Sequence, residues 1–310
     1  MQKIDAHMHF CAASLTEALV SMDRNDIAFA VNARIVDPTP GMEMVKLTRD
    51  VTGGRVLTLS SFEGDDLDRI EEPGRVAKIV ERFRREVDAG TKGFKVSKRL
   101  GLKAKYRDGS WVRPDDERLD PLWAAAGEMN VPVLLHIADP IPNWRPVDGT
   151  NPRAAMLHEN PEVWFGDGKH LPRLELLAMR DRVLARHPRT VFVNAHWGCY
   201  PEDLDHLVSL FETYPNFVVD TEPGKVRLAP AGKVHKSHRE LLIRYAGRTL
   251  FGTDLAYWAE RGGRVDHAWN DAMYARQFRW FETVENGGMA LPEDVLRRIY
   301  HDTARAVYRV

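Results

Sequence analysis

Two histidines one residue apart, His7 and His9, stand in the first apolar run of the chain, KIDAHMH. Along an extended strand alternate residues face the same side, so both imidazoles point one way and Met8 the other. Two neutral imidazoles on one face form half of a coordination site for Zn²⁺, Mn²⁺ or Fe²⁺. Three more residues able to bind a metal or move a proton close later apolar runs: His136 ends VPVLLH, His196 ends TVFVNAH and Asp254 ends TLFGTD. An isolated His-x-His pair arises often by chance; five such residues, each closing a strand-like run, do not. The competing readings are local ones, with His196 as a core histidine bonded to backbone and Asp254 as the cap of a following helix.

Residues from several separate strands can meet only if those strands lie side by side. Apolar, β-branched runs predict strands near 2–7, 27–31, 55–60, 93–97, 131–136, 190–195, 216–221 and 249–254. Helical stripes fill the gaps. Val76, Ile79, Val80, Phe83 and Val87 share one face and run into Gly90, a C-terminal stop. Asp120 and Pro121 read as an N-cap and first helical position ahead of Leu122, Ala125, Ala126 and Met129. Leu204, Leu207, Val208 and Phe211 form a third stripe. Eight strands alternating with helices fit one (β/α)8 TIM barrel over residues 1–310, and such barrels build their sites at the C-terminal ends of their strands. The barrel is expected to be distorted, with long loops after strands five and eight, near 139–172 and 255–291. Trp144, Trp164 and Phe165 in the first of these argue for a packed lid.

Composition narrows the partners. The chain has 310 residues, 44 basic against 45 acidic, and a net charge of −1, which gives no reason to expect nucleic acid or membrane as a partner. Cys11 and Cys199 are the only cysteines, too few for a disulfide framework and consistent with a reducing compartment. The opening segment has neither the basic nor the apolar region of a secretory signal, so a cytoplasmic location is expected.

The motifs together resemble the amidohydrolase superfamily, in its amidohydrolase-related branch that includes the carboxymuconate-semialdehyde decarboxylases. The resemblance is carried by Asp5-Ala6-His7-Met8-His9, His136, Ala195-His196-Trp197-Gly198, Gly252-Thr253-Asp254 and the tail Asp302-Thr303-Ala304-Arg305-Ala306-Val307-Tyr308. It implies that His7, His9, His136 and Asp254 bind one divalent ion, zinc ahead of manganese or iron. Such an ion lowers the pKa of a water from about 16 toward about 7. Asp254 would then be the proton shuttle, and His196 would polarise a carbonyl or hold the water. The implied activity is hydrolysis of an ester, lactone or amide in a small anionic substrate. The alternative is non-oxidative decarboxylation of a carboxylated aromatic or muconate. A purely structural metal fits an all-His/Asp set poorly, because structural zinc sites usually close all four positions and often use cysteine. A homodimer is compatible with the branch.

Lys95 remains open. Phe94 and Val96 suit the helix side of their strand, which turns Gly93, Lys95 and Ser97 inward. In binuclear members of the superfamily this position carries a carboxylated lysine bridging two metals. The other roles are an anchor for a substrate anion and a partner for Asp254. At the mouth, Arg34, Arg99, Arg145 and Arg153, with Trp144, Trp197 and Trp258, are candidates to grip a carboxylate and stack on a ring.

Overall fold

The computed structural model of the chain describes residues 1–34, 39–222, 234–257 and 265–310. Its strands are β1 (Lys3–Phe10), β2 (Ile27–Asn32), β3 (Val56–Thr58), β4 (Ser60–Ser61), β5 (Phe94–Val96), β6 (Val133–Leu135), β7 (Phe192–Asn194), β8 (Phe217–Thr221), β9 (Thr249–Phe251) and β10 (Leu255–Tyr257). All are parallel, in the orders β10-β1-β2-β3 and β4-β5-β6-β7-β8-β9. Each sheet passes into the other within one chain run. Residues 56–61 pair first with β2 and then with β5, while residues 249–257 pair first with β8 and then with β1. Eight strand runs therefore form the ring of the (β/α)8 barrel, broken where the third and eighth runs change neighbours.

The pleat sorts side chains into two layers. Ile4, Val31, Leu57, Leu134, Val193 and Leu250 fill the interior, and Tyr308 from the last helix packs beneath them. Phe94, Val133, Phe192, Phe217 and Phe251 face outward against the helices. The predicted stripes become helices Arg75–Ala89, Asp120–Met129 and Leu204–Thr213. Gly90, at φ 121°, closes the first of them. Asp120 is not the N-cap of its helix. Asp116 accepts the Arg118 N–H one turn earlier, so a 3-10 turn over Glu117–Leu119 leads into the helix and Leu119 takes the cap position. The Asp120 carboxylate binds Arg186 and His187 instead.

The two long connections carry more structure than expected. Segment 139–172 holds the short helices Ile141–Trp144, Ala154–Glu159 and Pro161–Val163. Its Phe165 is buried against Leu102, Leu176 and Cys199 and packs on Trp144, which gives the lid its own core. After β9 come β10 and the 16-residue helix His267–Glu282. No helix among the described residues is long and apolar enough to cross a membrane.

Candidate active site

The strand β1 runs through both histidines to Phe10 rather than ending at them. Its register against β2 shifts between Asp5 and Met8, a bulge of the kind that re-aims side chains beside active sites. The rings of His7 and His9 lie 5.1 Å apart, edge to face. Both reach Asp254: its Oδ1 is 2.9 Å from His9 Nε2 and 3.3 Å from His7 Nε2. Asp254 caps no helix. It sits between β9 and β10 at φ 56°, in the left-handed region, and its N–H donates to the His7 carbonyl at 2.7 Å. The run passes so close to β1 that a Cβ on Gly252 would stand 3.1 Å from His7 Cβ.

Asp5 anchors this turn. Its buried carboxylate accepts the Thr253 hydroxyl at 2.6 Å, the Tyr274 hydroxyl at 2.8 Å, the Thr253 N–H at 3.1 Å and the His7 N–H at 3.2 Å. Burial outweighs these bonds and raises the Asp5 carboxyl to about 7.

On β8, Asp220 was not anticipated. One of its oxygens takes the His7 Nδ1–H at 2.8 Å and the other accepts the His196 backbone N–H at 2.8 Å. Burial would raise this carboxyl, yet the contacts with His7 and His196 hold it below the usual range. Burial, and next the Lys95 ammonium, push His7 down to about 4. His7 is therefore neutral, with Nδ1 protonated toward Asp220 and the Nε2 lone pair turned to Lys95 Nζ, 3.1 Å away. Lys95 does point into the barrel, where it is fully buried.

His196 follows β7 in a tight turn, Ala195–Gly198. His196, Trp197 and Cys199 all have left-handed backbones, at φ 55°, 58° and 58°. Each costs about 1–2 kcal/mol, a strain characteristic of functional sites. The His196 ring stacks on His7 at 5.1 Å and meets the His136 ring edge-on at 4.5 Å. Its Nδ1 is 3.1 Å from Glu222 and its Nε2 is 3.8 Å from Asp254 Oδ2. Burial raises the Asp254 carboxyl, but His196, His7 and His9 together outweigh it and keep the group well below the usual carboxylate range.

The donor set suits a divalent cation. Ligand atoms of His7, His9 and Asp254 lie within 4.8 Å of one another, as do those of His196, Glu222 and Asp254. Two atoms bonded at about 2.1 Å to one tetrahedral ion stand about 3.4 Å apart. The spacings of 2.9 and 3.3 Å around Asp254 Oδ1 are near that size, the shorter being a hydrogen bond with His9 Nε2. His136 belongs to neither group; its Nε2 lies 3.3 Å from Asp139.

Above these candidate ligands opens a cavity of about 280 Å³ that reaches His9, His136 and Asp254. The Asp254 side chain is 25% exposed there. Lys98, Arg99 and Lys103 make the cavity wall cationic. Lys98 is paired with Asp139 and Arg99 with Asp68. Of the other expected mouth residues, Arg34 is buried beside Glu63 and Arg153 holds Asn143. Trp197 turns away into the core against His238 and Trp280, and Trp258 lies outside the described residues.

A family model described as "Amidohydrolase" matches residues 4–310. No curated protein matches the chain. Among solved structures, 2,6-dihydroxybenzoate decarboxylase from Rhizobium aligns with 100% of this chain and 99% of its own, at TM-score 0.55 and 17% identity. A dihydroxybenzoic acid decarboxylase from Polaromonas sp., with manganese and 2-nitroresorcinol bound, aligns at TM-score 0.58 and 14% identity, covering 99% and 97%. A probable 2-pyrone-4,6-dicarboxylic acid hydrolase from Acinetobacter baumannii, with citric acid bound, aligns at TM-score 0.58 and 10% identity over 100% of both chains. At these identities the likeness is one of fold.

Proposed function

Because the chain belongs to the amidohydrolase family, we propose that it is a metal-dependent hydrolase acting on a carbonyl of a small anionic ester, lactone or amide. His7, His9 and Asp254 would hold the ion, with His136 as the fourth candidate ligand, and zinc is the proposed metal. When bound, such an ion supplies Lewis-acid polarisation of a carbonyl and acidification of water.

The observation that carries the hydrolytic reading is the position of Asp254, 2.9 Å from His9 Nε2 and 3.3 Å from His7 Nε2. Asp254 lines the cavity, and its neighbours keep it ionised. An ionised carboxylate takes a proton before it gives one. Asp254 removes a proton from the attacking water as oxygen bonds to the carbonyl carbon. It returns that proton to the leaving oxygen or nitrogen as the scissile bond breaks. His196, beside Asp254 Oδ2, orients the carbonyl. Lys98, Arg99 and Lys103 receive the anionic end of the substrate.

Decarboxylation is the second reading. It is favoured by the fold likeness to the Rhizobium and Polaromonas decarboxylases and by a cationic wall that suits a carboxylate. It needs an acid that protonates carbon before carbon dioxide leaves.

The test is zinc- or manganese-loaded protein assayed on a panel of lactones and esters, including 2-pyrone-4,6-dicarboxylate, and on 2,6-dihydroxybenzoate, following acid and carbon dioxide together. Acid release from a lactone or ester without gas supports hydrolysis. Gas from the hydroxybenzoate with lactones untouched replaces it by the second reading. Inertness of the loaded protein toward the whole panel would overturn both.

A further inference from the structure

The turn after β7 keeps a left-handed backbone for four residues in succession, His196, Trp197, Gly198 and Cys199. No other run of more than two occurs among the described residues. L-residues do not hold such a turn unless their surroundings over-determine it. The grip comes from one outer helix, Arg173–Arg186. Arg173 and Arg180 are seven residues apart, two helical turns, and so share a face. Arg180 Nη1 donates to the Gly198 carbonyl and Arg173 Nη2 to the Cys199 carbonyl. Arg173 Nε also donates to the Asp139 carbonyl at 2.8 Å, and its Nη2 pairs with Glu202 at 2.8 Å.

Both guanidiniums are buried, Arg180 with 1% of its surface exposed. Arg180 lies 5.7 Å from the Phe217 ring centroid, and a Cβ on Gly198 would approach its Nη1 to 3.3 Å. At the other end of the turn Asp220 accepts the His196 N–H. The turn is thus held by a carboxylate at its first N–H and by two guanidiniums at its last carbonyls.

We propose that Arg173 and Arg180 are positioning residues, which lock this left-handed turn and so set the His196 ring between His7, His136 and Asp254. Neither is among the candidate ligands, and neither lines the cavity. An arginine fork can serve two acceptors in fixed directions while buried; a lysine ammonium at the same place cannot. The kinetic part of the proposal rests on the hydrolase reading, whereas the placement of the ring does not.

The test uses zinc-loaded protein with ¹⁵N-labelled histidines and the variants R180M, R180K and R173K. The His196 ring signals are identified by their loss in H196Q. R180M is expected to shift those signals and keep the zinc content of the parent. It should lower kcat about 100-fold, the scale of a misplaced catalytic group, and leave KM within about twofold. R180K should recover part of the loss. Unchanged His196 signals in R180M would overturn the proposal. If R180M does not fold, R180K and R173K carry the test on the same criterion. If no substrate turns over, the hydrolase reading fails separately and the ring signals alone decide the placement.

Discussion

Lys95 Nζ lies 3.1 Å from His7 Nε2, with both residues buried inside the barrel. The contact answers to one of two chemistries. As an ammonium, Lys95 donates to the imidazole and repels a second cation. As a carboxylated lysine, it would instead be a bridging ligand. We take the first state, in which the buried ammonium donates to the His7 Nε2 lone pair at 3.1 Å. Elemental analysis of protein purified without added metal or chelator should therefore give close to one equivalent of divalent ion per chain. Close to two would assign the carboxylated state.

Asp220 holds His7 in the tautomer that presents Nε2. Loss of such an outer carboxylate typically costs 10–100-fold in metal affinity. Asp220→Asn is expected to weaken zinc binding by about that factor, measured by chelator competition, with the fold intact. Unaltered affinity would mean that burial alone fixes the ring.

For Asp254 the expectation concerns rate. Asp254→Asn keeps the shape but cannot take a proton, so kcat should fall about 1,000-fold, within the span of general-base effects. A variant retaining more than a tenth of the activity would remove Asp254 from proton transfer.

Asp5 and His7 give opposite pH dependences. The folded Asp5 carboxyl is raised to about 7, so folding takes up a proton, and its stabilising contribution is lost as pH rises from about 4 to 7. The folded His7 is lowered to about 4, so stability is lost as pH falls from about 6.5 to 4. The two largely cancel between pH 4 and 6.5. Asp5→Asn removes one side of the balance. Relative to the parent it should gain about 2–3 kcal/mol on going from pH 5 to pH 7, from about 1.4 kcal/mol per pH unit. Urea melts at the two pH values measure this, and parallel curves for parent and variant would contradict it.

The cationic wall predicts a salt effect. Lys103 lines the cavity and is exposed. Lys103→Gln should raise KM for an anionic substrate by about fivefold at low salt and by little at about 0.5 M salt, where exposed charges are screened. A neutral ester should show no change at either. Equal effects on both substrates would assign Lys103 a packing role.

What sequence reveals of this site depends on how far each residue's environment is local. The strand runs are legible because both faces are buried, so their apolar character shows without knowledge of the partners. His7, His9 and Asp254 are legible as ligand-type residues interrupting such runs, and the inward Lys95 follows from the pleat. Asp220 offered nearly the same signal, a carboxylate one residue before the end of FVVDT, and could have been found by the rule that found Asp254. Arg173 and Arg180 offered none. Their carbonyl partners lie 26 and 18 residues away, and nothing about a helical arginine announces a buried one. Trp197 misled because adjacency to His196 suggested the mouth, whereas the left-handed turn sends the two side chains in different directions.

The seam between β1 and β10 has a bearing on when the site comes into being. His9 and Asp254 are 245 residues apart in the chain, and Met8 pairs directly with Leu255. Closing so long a loop costs entropy that contacts of short separation do not, and contacts of this separation slow folding. On the ribosome, His7 and His9 emerge early and wait for the rest of the barrel before Asp254 exists to meet them. Any ion held by His9 and Asp254 together is acquired at ring closure, and its capture reports a completed fold rather than guiding an incomplete one.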